Sequence, residues 1–163
     1  MKEYPEYELT KEKLKMIVDI SVLHDIGKIA IPDKILFKPS KLTSEEKDII
    51  KSHTLRGCEM FENIKDIWDK EVERIGYNIC RSQHERYDGK GYPDNLIGEK
   101  IPIEAQIVSI ADTYDNLVND TLSTSAKTHD EAFFMIVSGE CGMFSPKLIE
   151  CFRINKDKIK NVR

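Results

Sequence analysis

Along most of this chain apolar residues recur every three or four positions, and no segment alternates apolar and polar residues long enough to make a strand, which predicts an all-α fold. The first amphipathic segment begins behind Thr10, a residue suited to an N-cap, and places Leu14, Ile17, Val18, Ser21 and His24 on one stripe. Asp25 falls seven positions after Val18, so His24 and Asp25 are expected on the buried side of the last turn, with Gly27 ending the helix. Pro32 and Pro39 discourage regular structure next. Thr43 and Glu46 then have the spacing of a capping box, and Ile49, His53, Met60 and Ile64 continue one helical stripe that carries His53 inward. A third helix is expected from Trp68 to His84, where Ile75, Ile79 and Gln83 share one edge and Cys80 and His84 the next.

Between Tyr87 and Gly98 three glycines and one proline mark an ordered loop. Pro102 opens a further helix with Ile103, Ile107, Ile110, Tyr114 and Leu117 on its core face, and with Asp112 off that stripe, level with Val108 and Asp115. Thr128 and Glu131 form a second capping box for a helix through Ser138, and Ser145-Pro146 starts a last one through Phe152.

A length of 163 residues suits a single domain over 1–163, and no internal repeat breaks it. With 33% charged residues and a formal charge of -4, the chain has no basic surplus with which to hold a long nucleic acid, whereas a small anion needs only a local cluster of positive charge or metal. The four cysteines, Cys58, Cys80, Cys141 and Cys151, make no Cys-x-x-Cys pair and sit in segments read as helices, the pattern of buried thiols in a reducing cytoplasm. No apolar run reaches the roughly 18 to 20 residues that cross a bilayer, and the charged N-terminus has no signal-peptide core, so the expected location is cytoplasmic, with no membrane partner.

Candidate chemistry concentrates in the imidazoles of His24, His53 and His84, the carboxylates of Asp25 and Asp112, and the ammonium of Lys28. Imidazole and carboxylate together favour iron or manganese, with zinc or nickel next, over an all-oxygen magnesium or calcium cage. A carboxylate can bridge two metals where an imidazole serves one, so Asp25 is the natural bridge. Two metals would generate hydroxide and stabilise an in-line displacement at phosphorus, and Lys28 could reach a phosphate oxygen. Each residue taken alone has a plainer explanation: a hydrogen-bonded core histidine for His53, a surface carboxylate for Asp112, a solvated helix-end charge for Lys28. Three of the four histidines nevertheless fall at the spacing one site would need, while His129, just after a cap, reads as surface.

The segments His24-Asp25-Ile26-Gly27-Lys28-Ile29-Ala30-Ile31-Pro32-Asp33, Lys38-Pro39-Ser40-Lys41-Leu42-Thr43 with His53, and His84-Glu85-Arg86-Tyr87-Asp88-Gly89-Lys90-Gly91-Tyr92-Pro93 together resemble the HD-GYP branch of the HD-domain superfamily. The likeness continues through Gly98–Pro102 and Ile110-Ala111-Asp112 to Phe144-Ser145-Pro146, a core of about residues 9–152. It implies a bundle of about six helices and a bacterial signalling phosphodiesterase that opens cyclic di-GMP at an iron or manganese centre. His24, Asp25 and Asp112 would hold one metal, His53 and His84 a second, with Asp25 bridging and Lys28 assisting at phosphate. Gly91, Tyr92 and Pro93 would belong to the loop linked to substrate handling or to contact with a signalling protein.

Three positions depart from the family pattern. Gln83 stands where a second histidine is usual. The 23 residues before His24 contain no histidine, where the family has an upstream helix that supplies one; either the sequence is a piece of a longer regulator or that helix is absent, and in the second case uncovered apolar surface favours a homodimer. The stretch Asp120-Thr121-Leu122-Ser123-Thr124 lacks the basic residues that hold the dinucleotide in the family. These departures predict a depleted metal site. They leave two alternatives to cyclic di-GMP hydrolysis: a catalytically degenerate regulatory or protein-interaction module, and a hydrolase for another phosphoester.

Overall fold

In the computed structural model, which describes residues 7–63, 67–120 and 125–160, helices begin where short polar side chains cap them. Thr10 accepts from the Lys13 N–H to start α1 (Lys11–Ser21). After a short α2 (Asp33–Leu36), Thr43 and Glu46 form a reciprocal capping box at the head of α3 (Ser44–Lys51). α4 (His53–Asn63) follows at once, and Asp69 caps α5 (Lys70–Ser82). α6 (Ile103–Val118) comes after the long loop, Thr128 and Glu131 box the start of α7 (His129–Ser138), and Pro146 occupies the first turn of α8 (Pro146–Ile154) ahead of a short α9 (Lys156–Lys160). Among the described residues there is no strand, only an isolated antiparallel bridge between Asp88 and Ile97, so the fold is all-α.

The chain divides into two compact units. The first holds the described residues up to Gln83 together with Pro102–Ala105. In it α4 packs against α5 and against a 3-10 turn (Ile26–Ala30), and α1 packs against α5, around the buried side chains of Ile17, Phe61, Ile75 and Ile79. Gly76 makes room for Phe61, whose ring would lie 2.2 Å from a Cβ at that position. Glu104 is buried here and accepts hydrogen bonds from Arg74 (2.9 Å) and Asn78 (2.7 Å). The second unit, His84–Ile101 with the described residues from Gln106 onward, is built on Ile110, Ile136, Phe144 and Phe152, with Phe133 stacked on Phe152.

Several expected elements are revised. α1 stops at Ser21, and the N–H groups of Leu23, His24 and Ile26 reach back three residues instead of four, so His24 and Asp25 lie in a tightened turn beyond the helix and Gly27 sits inside the 3-10 turn. Val18 is 66% exposed, and Ile17 and Ile20 face the core instead. The single helix expected behind Thr43 is two, divided at Ser52. Ile64 and Thr121–Thr124 lie outside the described residues. Trp68 precedes α5 and His84 follows it. In α6 residues 104–106 and 108–110 are buried, polar Glu104, Gln106 and Ser109 among them, whereas Ile103 and Ile107 of the expected core face are only half-buried. Cys141 lies in a turn after α7.

Candidate metal centre

The turn that carries His24 and Asp25 is pressed onto α4. A Cβ on Gly27 would lie 2.0 Å from the His53 carbonyl oxygen and 2.6 Å from the Gly57 nitrogen, distances no side chain tolerates. Gly57 in turn faces Cys80 of α5. These two glycines let three backbone segments approach closely, and the approach delivers Asp25 to His53.

The resulting geometry is specific. His24 Nδ1 donates to the Ser21 carbonyl at 2.8 Å and His53 Nδ1 to the Ile50 carbonyl at 2.7 Å. A carbonyl can only accept, so both Nδ1 atoms carry their proton, and both Nε2 atoms point at one carboxylate: His24 to Asp25 Oδ2 at 3.3 Å, His53 to Asp25 Oδ1 at 3.2 Å. Lys28 donates to Oδ2 as well. Asp25 Oδ1 is buried and accepts no hydrogen bond among the described residues despite the nearby imidazole. With neutral rings this sets lone pairs against lone pairs, an arrangement that calls for a shared cation, either a proton on each ring or a metal ion. His53 is 1% exposed. A nitrogen and oxygen donor set whose rings are oriented by backbone carbonyls fits a transition metal. Burial works against ionisation of Asp25, but the two imidazoles and the Lys28 ammonium outweigh it and hold its carboxyl far below the usual carboxylate range.

Two neighbours of the cluster are not metal donors of the usual kind. Burial pushes the Cys80 thiol up to about 12, so it stays protonated, with its sulfur 3.4 Å from the Leu23 carbonyl. Gln83, 1% exposed, donates its amide N–H to the His24 carbonyl at 2.7 Å. That bond holds the backbone of a candidate ligand, a role the sequence pattern did not reveal.

The second unit contains the other predicted site residues. His84 is half-buried and stacks on Tyr92, ring centroids 4.8 Å apart and planes 17° from parallel. Asp112 is half-buried and accepts from Asn116 at 2.8 Å. Gly91 lies against the backbone of residues 84–86, where a Cβ would meet Glu85 Cα at 2.3 Å, and Tyr92 and Pro93, joined by a cis peptide bond, are half-buried. Arg86 is anchored by Cys141 O, Glu85 O and Ser109 Oγ and lies over the Phe144 ring. Burial lowers its pKa while Tyr92 and Asp112, among others, oppose that shift. His129, expected at the surface, is half-buried and shares a hydrogen bond with the Tyr114 hydroxyl. The roles of Glu85 and Arg86 carried no sequence signal, since a Glu-Arg pair reads as solvated charge.

A family model described as HD domain matches residues 7–148. The chain belongs to the HD-domain family. Among curated relatives, a cyclic di-GMP phosphodiesterase response regulator of Xanthomonas campestris is 36% identical over 154 residues, 94% of this chain and 40% of the relative. A cyclic di-GMP phosphodiesterase of Thermotoga maritima is 39% identical over 140 residues, 86% of this chain and 37% of the relative. A 3'3'-cGAMP-specific phosphodiesterase 2 of Vibrio cholerae is 34% identical over 157 residues, covering 96% and 29% respectively. The chain thus spans well under half the length of these relatives. Among the described residues, no helix is long and apolar enough to cross a membrane.

Proposed function

We propose that this HD domain is a metal-dependent phosphodiesterase that opens a cyclic dinucleotide of the cyclic di-GMP type, in bacterial signalling. The observation that carries this reading is the convergence of two carbonyl-anchored imidazoles and a lysine on one ionised carboxylate. In this reading His24, Asp25 and Asp112 would hold one metal and His53 and His84 a second, and iron or manganese suits the donors best. The bound metal would supply a hydroxide at neutral pH and charge stabilisation at phosphorus. Asp25 is kept ionised by its neighbours and would offer a carboxylate to the metal. Lys28, 39% exposed and paired with Asp25, would assist at a phosphate oxygen. Gly91, Tyr92 and Pro93 form the loop beside the substrate. The names of the relatives support the substrate class.

Gln83 favours a second reading, a regulatory module with weak metal binding, because its amide N–H is committed to the backbone in place of a usual ligand. Metal analysis and turnover decide between the two. Protein purified with iron or manganese supplied is expected to carry metal and to convert cyclic di-GMP to the linear dinucleotide, and Asp25→Ala is expected to lose both. Full metal loading without turnover of cyclic di-GMP or 3'3'-cGAMP would sink the catalytic reading.

A further inference from the structure

Glu85 is a buried carboxylate, 2% exposed, and both of its oxygens are engaged: Oε1 accepts from the Asp94 N–H at 2.7 Å and Oε2 from the Leu96 N–H at 3.0 Å. It thereby ties the far side of the loop to the residue that follows His84. Within the tied segment, the Tyr92 N–H reaches the His84 carbonyl at 3.3 Å, Asn95 donates to the Gly91 carbonyl, and the Tyr92 ring stacks on the His84 ring. Gly91 lets this happen, since any Cβ there would strike Glu85 Cα, the Arg86 nitrogen and the His84 oxygen at 2.3 to 2.5 Å. Next along the chain, Arg86 anchors the same backbone to Ser109 of α6 and to the Cys141 carbonyl. Residues 84–86 are therefore fixed through Arg86 and the loop is fixed to them through Glu85.

We propose that Glu85 is a positioning residue for His84: by holding the Asp94 and Leu96 N–H groups it keeps Tyr92 stacked on the imidazole and sets the plane of that ring. Two acceptor oxygens on one side chain hold both N–H groups at once, which a side chain with a single acceptor cannot do. The consequence for metal binding rests on the reading of His84 as a ligand given under Proposed function; the consequence for ring orientation does not.

The test compares the histidine ring resonances of the metal-free chain by NMR. The His84 signals are assigned by their loss in His84→Gln. Glu85→Gln replaces one acceptor by an amide NH2 that cannot accept, so the Asp94 and Leu96 amide signals are expected to shift. The His84 ring signals are expected to move toward their positions in Tyr92→Leu, where the stack is removed, while His24 and His53 stay in place. Glu85→Asp, which keeps the charge but shortens the reach, carries the same comparison if Glu85→Gln does not fold. Manganese affinity measured by calorimetry is expected to fall about 10 to 100-fold in Glu85→Gln. Loop amides that shift while the His84 ring signals superimpose on those of the unsubstituted chain would overturn the proposal. So would unchanged manganese affinity in Glu85→Gln beside a clear loss in His84→Gln. If His84→Gln itself leaves manganese affinity unchanged, the assigned ligand set fails, and the ring comparison still decides the role of Glu85.

Discussion

At the scale of single residues, the absence of one methyl group holds the centre together. Gly27→Ala would place a carbon 2.0 Å from the His53 carbonyl, backbone against which no side chain can swing away. We expect it to lower stability by at least about 1 to 3 kcal/mol in urea unfolding and to weaken metal binding with it, since the turn that carries Asp25 must retreat from α4. The His-Asp pair and Lys28 are legible in the sequence only in combination, since Lys28 alone reads as a solvated helix-end charge and it is the spacing of His24, His53 and His84 that points to one site. The reason for Gly27 was not: glycine after a helical stripe reads as a helix end, and only the packed structure shows that its job is contact with another element. Gln83 is similar, visible as an unusual residue but not as the donor that holds the His24 carbonyl.

At the scale of elements, the starts were legible and the breaks were not. Thr10, Thr43, Thr128 and Pro146 begin helices as local chemistry dictates. The break before His53 is hidden by a continuous apolar stripe. There the Ser52 hydroxyl donates to the Ile49 carbonyl at 2.6 Å and the Thr54 hydroxyl to the Lys51 carbonyl at 3.0 Å, so side chains take up carbonyls at the point where α3 gives way to α4. Glu104 was equally hidden, as a charge in a first helical turn is usually solvated. Because it is the buried acceptor for Arg74 and Asn78 in the first unit, Glu104→Ala is expected to destabilise the chain by about 1 to 3 kcal/mol in chemical denaturation. Arg74→Ala should cost less, because that side chain is 51% exposed.

At the scale of the whole molecule, metal binding and folding are linked. The centre joins residues from the turn after α1 and from α4, which come together only on folding, so a metal that binds there stabilises the native state. At a free concentration one hundred times its dissociation constant the gain is about 2.7 kcal/mol. Manganese is therefore expected to raise the unfolding temperature by several degrees, reversibly with a chelator, and Asp25→Ala to show no such rise; a chain of this length shifts by about 2 to 4 °C per kcal/mol. The all-α class and the HD-domain family were both legible in the sequence, whereas the division into two units was not, because periodicity reports burial and not which neighbours provide it. One further consequence follows from the bonds that aim the two imidazoles of the first unit. Each ring is steered by the carbonyl three positions earlier, at Ser21 and Ile50, and a carbonyl is supplied by any amino acid. Ring direction is thus inherited from the path of the main chain, so drift in side-chain identity at those two positions should leave it intact. A search for such centres by their acidic supporting residues would pass this one by.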